Sequence, residues 1–100
     1  MSTKPLTPEE IGRALETLDG WALDEAGAAL VKSYVFGDFR EALSFMVRAG
    51  FEAEAMNHHP EWTNVYNKVA IRLSTHDAGG RVTAKDVELA GLIERILAGS

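Results

Sequence analysis

The sequence predicts an α+β protein in which a four-stranded antiparallel sheet carries three helices on one face, in the order α-β-β-α-β-β-α. Three observations lead there. Three separate stretches open on a helix-capping residue and continue with apolar residues at helical spacing. Between them lie two stretches rich in β-branched and aromatic residues, each broken by a short turn, which is the pattern of a hairpin. Strands joined by hairpins pair antiparallel, and three helices with one apolar stripe each can cover one face of such a sheet. At 100 residues the whole chain, 1–100, is expected to form a single domain around one core.

The first helix opens at Thr7-Pro8-Glu9-Glu10: a hydroxyl N-cap, a proline where its missing N–H does no harm, and a glutamate three residues after the cap. Ile11, Ala14, Leu15 and Leu18 continue at helical spacing and Gly20 is a stop, so the helix is expected over residues 8–18. From Trp21 to Phe36 two apolar runs flank Asp24-Glu25-Ala26-Gly27, a hairpin whose second strand is the longer. Asp38 and Glu41 open the second helix, with Phe39, Leu43, Met46, Val47, Gly50 and Ala53 or Glu54 expected as its apolar stripe. It should end near His59, because the residue before Pro60 is pushed away from helical geometry. Val69, Ile71, Leu73 and Thr75 then alternate with Ala70, Arg72, Ser74 and His76 as in a half-buried strand, with Val65-Tyr66 as a short partner turned at Asn67-Lys68. Gly79-Gly80 forms a loop, and Thr83-Ala84-Lys85-Asp86 opens the third helix, striped by Leu89, Ala90, Ile93, Ile96 and Leu97.

Composition excludes several functions. A net charge of −5 with singly scattered basic residues argues against a nucleic-acid partner, which needs clustered Lys and Arg. No run reaches the roughly 18 to 20 apolar residues of a membrane span, and Met1-Ser2-Thr3-Lys4-Pro5 lacks the apolar core of a signal peptide. A cytoplasmic protein without a membrane partner is therefore expected. The absence of cysteine removes thiolate catalysis and thiolate metal sites together. Neither a Gly-x-Ser-x-Gly elbow, a phosphate-cradling Gly-x-x-x-x-Gly-Lys, nor a dinucleotide fingerprint occurs.

What remains is histidine. All three lie between residues 58 and 76: the adjacent pair His58-His59 at the end of the second helix, and His76 at the end of a strand. Glu54, four residues before His58, would share its helix face and favour its imidazolium form. A surface or satisfied polar role fits such residues as well as a catalytic one does. Zinc fits less well, since there is no His-x-x-x-His spacing and adjacent residues rarely chelate one ion. Trp21 and the set Phe36, Phe39, Phe45 and Phe51 read as core or interface, with Met46 and Met56 as core.

The run Glu54-x-x-Asn57-His58-His59-Pro60-Glu61-Trp62, then Val65-Tyr66-Asn67-Lys68-Val69, then Ser74-Thr75-His76 with Gly79-Gly80, Thr83 and Asp86, resembles the pterin-4a-carbinolamine dehydratase family. Gly20-Trp21 and Phe36-x-Asp38-Phe39 extend the resemblance over nearly the whole chain. It implies the same α+β fold and the dehydration of 4a-hydroxytetrahydropterin to quinonoid dihydropterin, which recycles the cofactor of aromatic amino acid hydroxylases, with no metal and no added cofactor. Carried over position by position, the catalytic set is His58, His59 and His76. His58 and His76 would be the acid/base groups, and His59 would chiefly hold the pterin. Glu54 would set the charge of His58, and Asn57, Ser74, Thr75 and Asp77 would line the pocket. Asp86 would support the site by orienting His76 or capping the third helix. Family members form homodimers or dimers of dimers, and some serve as the dimerisation partner of a transcription factor. Phe45, Val47 and Phe51 of the second helix are candidates for such a surface, and a chain that binds pterin without turnover is the remaining alternative.

Overall fold

The sheet is built from two hairpins laid side by side. A computed structural model describes residues 4–99; Met1, Ser2 and Thr3 of the opening segment weighed for a signal peptide lie outside the described residues. In chain order the elements are α1 (Pro8–Leu15), β1 (Ala22–Leu23), β2 (Leu30–Val35), α2 (Phe39–Met56), β3 (Glu61–Val65), β4 (Lys68–Leu73) and α3 (Ala84–Ala98), with one 3₁₀ turn over His76–Ala78. The strands lie in the order β1-β2-β4-β3, every neighbour antiparallel. The expected α+β architecture and its element order are those observed.

Period-two alternation decides which side of the sheet is covered. Register pairs Leu30 with Leu73, and Tyr34 with Val69. These four and Ile71 are buried beneath the helices. Ile11 of α1, Phe45 of α2, and Leu89 and Ile93 of α3 pack onto them. Phe45 lies 5.0 Å from Phe36 and 5.1 Å from Tyr34, ring centre to ring centre. The opposite side, with Ser33, Val35, Lys68 and Ala70, is exposed or half-buried and carries no helix among the described residues.

All three helices start where the capping residues place them. The Thr7 hydroxyl accepts from the Glu10 N–H while the Glu10 carboxylate accepts from the Thr7 N–H, and Asp38 accepts from the Glu41 N–H. Their ends differ from expectation. α1 stops at Leu15, not Leu18, because bonds tighten to three-residue spacing from Glu16 to Leu18 and the Thr17 hydroxyl donates to the Ala14 carbonyl. Gly20, at φ 82°, then turns the chain into Trp21. β3 is longer than the expected Val65-Tyr66: it reaches back to Glu61, and the turn is Tyr66-Asn67, held by the Asn64 amide donating to both flanking carbonyls.

The expected stripe of α2 is the larger correction. Its buried face is Ala42, Phe45, Ala49 and Ala53, whereas Phe39, Leu43, Val47 and Phe51 are exposed. Alanines let α2 approach its neighbours closely, so the small residues and one large plug face inward. Two apolar stripes run side by side on this helix, and periodicity alone favoured the bulkier one. Phe45, offered as a partner-surface candidate, is fully buried.

α3 is moored at its far end by Glu94. One oxygen of this carboxylate accepts from the Trp21 indole at 3.1 Å, from the Lys32 ammonium at 2.8 Å and from the Tyr34 hydroxyl. Partial burial pushes the Glu94 carboxyl up, but these three donors outweigh it and hold the group below the usual carboxylate range. Burial and the adjacent Glu94 carboxylate push the Tyr34 phenol up, so it stays a donor. The first hairpin and α3 are thereby fixed together, which matters because the start of α3 enters the site.

Candidate active site

The histidine pair stands where it does because of Asn57. This residue is the C-cap of α2 and adopts the left-handed conformation, φ 53° and ψ 43°, which asparagine tolerates better than most residues. The His58 N–H then bonds back to the Ala53 carbonyl at 3.0 Å, the six-to-one closure of a Schellman end. The helix thus ends at Met56, before the limit set by Pro60, and the left-handed step separates the two imidazoles.

They go to different surroundings. His58 turns inward, with its side chain 9% exposed, and its Nε2 lies 2.6 Å from Oδ1 of Asp86. His59 faces outward at 58%, with its Nε2 2.7 Å from Glu54. This corrects the expected pairing. Four-residue spacing would place Glu54 beside His58 on a continuous helix, but the helix has ended, and the carboxylate meets the next residue instead.

Asp86 is fully buried and does two jobs. As the third residue of α3 it completes the capping box, its Oδ2 accepting from the Thr83 N–H at 2.9 Å and from the Thr75 hydroxyl at 2.8 Å. Its other oxygen is left for His58. One carboxylate therefore joins the end of α2, the end of β4 and the start of α3. It caps the third helix, as expected, and its imidazole partner is His58, not His76.

His76 opens the 3₁₀ turn just past β4 instead of closing the strand itself. The turn is pinned by bonds from Thr75 N–H to Arg81 carbonyl and from Gly80 N–H to Thr75 carbonyl, and Gly79 and Gly80 both take positive φ to close it. His58, His59 and His76 then border one cavity of about 280 Å³ together with Asn57, Ser74, Thr75, Asp77 and Lys85. Of the residues expected at the site, Glu54 stands outside this lining and reaches it through His59, and Asp86 lies beneath it. The Thr75 hydroxyl is occupied by Thr83 and Asp86. Although three imidazoles border the cavity, among the described residues no three His, Asp or Glu side chains come close enough together to hold one metal ion.

A larger recess of about 470 Å³ lies on the uncovered side of the sheet, bordered by Val31, Ser33, Glu61, Thr63, Ala70 and Arg72. It holds no histidine, the one side chain whose ordinary titration falls near neutrality. Proton-transfer chemistry therefore favours the smaller cavity. Lys85 was not singled out in the sequence, although its place beside the Thr83 cap puts it at whatever α3 points toward. The Asp86–His58 pair was also missed; the available signal was that a capping-box carboxylate uses one oxygen on the cap and leaves the other free.

A four-stranded antiparallel sheet under three helices, with three imidazoles at one cavity, defines an α+β protein with a histidine-lined cavity at the helix ends. A family model described as pterin 4 alpha carbinolamine dehydratase matches residues 4–96, and the chain belongs to that family. A relative from Opitutus terrae, provisionally named a pterin-4-alpha-carbinolamine dehydratase, is 64% identical over 91% of this chain and 92% of its own. One from Solibacter usitatus, with the same provisional name, is 48% identical over 99% of this chain and all of its own. The crystal structure of a transcriptional coactivator/pterin dehydratase from Brucella melitensis superposes with a TM-score of 0.89 at 40% identity, covering 93% of this chain and 98% of that one.

Proposed function

We propose that the protein dehydrates 4a-hydroxytetrahydropterin to quinonoid dihydropterin and water, a cytoplasmic step that recycles the pterin cofactor of aromatic amino acid hydroxylases. Family membership supports the substrate class. The observation that carries the chemistry is the convergence of His58, His59 and His76 on one cavity. In the reaction the C4a–O bond breaks, the departing hydroxyl takes a proton to leave as water, and a ring nitrogen gives up its proton as the new C=N bond forms. Imidazoles donate and accept near neutral pH, which suits both transfers. His58 and His76 act as the acid/base groups and His59 holds the pterin, with Glu54 steadying His59. Asn57, Ser74 and Asp77 contact the ring system, and Thr75 contributes backbone atoms because its hydroxyl is occupied. No metal or further cofactor enters the scheme.

The test is turnover of the 4a-hydroxypterin by purified protein with a chelator present. Accelerated loss of its absorbance is expected. Pterin binding without acceleration would leave a binding protein, and activity abolished by the chelator would point to a metal.

Phe39, Leu43, Val47 and Phe51 form an exposed apolar stripe along α2, and contiguous exposed apolar surface marks contact sites. We propose that a second copy of the chain covers it, giving the homodimer or homotetramer that the family resemblance implies. A transcription factor is the competing occupant. Val47→Asp should shift the sizing profile from oligomer to monomer; a monomeric parent protein would contradict the proposal.

A further inference from the structure

We propose that His58 works through Nδ1 and that Asp86 is the positioning residue that dictates this, by holding the proton of the neutral imidazole on Nε2. The inference rests on the dehydratase reading only for its rate measurement. It follows from placing each proton of the buried cluster in turn. The Lys85 N–H donates to the Thr83 hydroxyl oxygen at 3.2 Å. The Thr75 hydroxyl has one hydrogen and gives it to Oδ2 of Asp86, so the 2.7 Å contact between the two threonines must be Thr83 donating to Thr75. The Thr83 N–H is a second donor to Oδ2. Asp86 is thus used as an acceptor throughout one oxygen, and its other oxygen faces only Nε2 of His58.

Between an imidazole nitrogen and a carboxylate oxygen, the imidazole is ordinarily the stronger base, so the shared proton belongs to Nε2. That leaves Nδ1. Among the described residues no side-chain nitrogen or oxygen that is itself shut off from solvent lacks a hydrogen-bond partner; Nδ1 of His58 has no protein partner, so it is reachable from solvent, and His58 borders the cavity. It is therefore the atom that opens onto the cavity. The threonine relay explains why both Thr75 and Thr83 are nearly inaccessible: they saturate Oδ2 and keep Asp86 from rotating away from His58. The arrangement parallels the carboxylate of a Ser-His-Asp triad, which selects the tautomer of its histidine without taking the proton.

The test is nitrogen-15 NMR of histidine-labelled protein at alkaline pH, where imidazoles are neutral, on the full chain and on Asp86→Asn. In the parent protein His58 is expected to carry its proton on Nε2. In the variant, the amide oxygen stays with the Thr83 and Thr75 donors and the NH₂ group faces Nε2, so the proton should move to Nδ1. The kcat for dehydration should then fall about 100-fold, while KM changes little. A parent His58 protonated on Nδ1, or an unchanged tautomer in a folded Asp86→Asn protein, would overturn the proposal. Should the variant fail to fold, the parent spectrum alone decides. A parent protein with the expected tautomer but no turnover would count against the dehydratase reading and leave the positioning role standing.

Discussion

Two imidazole–carboxylate pairs stand on adjacent residues and differ in almost everything except length. His58–Asp86 spans 2.6 Å with side chains 9% and 0% exposed; His59–Glu54 spans 2.7 Å with 58% and 76%. Contact distance alone would rank them together. Solvent separates them, because an exposed pair exchanges one set of good hydrogen bonds for another, whereas a buried pair has no water to fall back on. The inner pair can hold one geometry and one tautomer. The outer pair can yield to an incoming ligand. On the proposed function, a pocket that performs chemistry and admits a substrate gains from having one of each.

Breaking each pair from its carboxylate side sharpens the contrast. Asp86→Ala leaves the His58 ring, the Thr75 hydroxyl and the Thr83 N–H without their acceptor, and is expected to cost about 3–5 kcal/mol of unfolding free energy in a urea titration. That is a large part of the roughly 5–15 kcal/mol typical of a small protein. A loss under about 1 kcal/mol would mean that the inner pair behaves like the outer one.

The mooring at the other end of α3 should respond to pH. The folded-state pKa of Glu94 is depressed from its ordinary 4.5, so its contribution is fully present above pH 4.5 and is lost as pH falls through the folded value. The stability difference between the parent and Glu94→Gln should thus be constant from neutrality down to that point and shrink below it. A difference that grows on acidification would reverse the sign. The smallest effect is expected for Glu54→Ala, about 0–1 kcal/mol and weaker in high salt. A larger loss would show that exposure misjudges the outer pair.

The contrast also shows how much the sequence could tell. Capping boxes at Thr7 and Thr83, the Asp38 cap and the alternation of Val69, Ile71 and Leu73 are local signals, and each is matched by its element, although β4 ends at Leu73 and leaves Thr75 beyond it. The inner stripe of α2 was legible only at Ala53: Ala42, Phe45 and Ala49 face inward because of what α3 and the sheet present to them, which periodicity does not record. The histidines were visible as a cluster, and the cavity brings them together. Their partners were not visible. The Glu54–His58 spacing assumed a helix that continues, and a single left-handed residue, Asn57, moved the contact by one position. Asp86 lies 28 residues from His58 in sequence, and only the packing of α3 against the end of α2 joins them.

The most direct test of this division of labour is steady-state dehydration kinetics of His58→Ala beside His59→Ala, with folding verified for each. If the inner histidine acts on protons in the transition state, as proposed, its removal should lower kcat about 10²–10³-fold. Removal of the outer one should mainly raise KM while keeping kcat within about tenfold of the parent. Full activity in His58→Ala, or equal losses of kcat in both variants, would contradict the account.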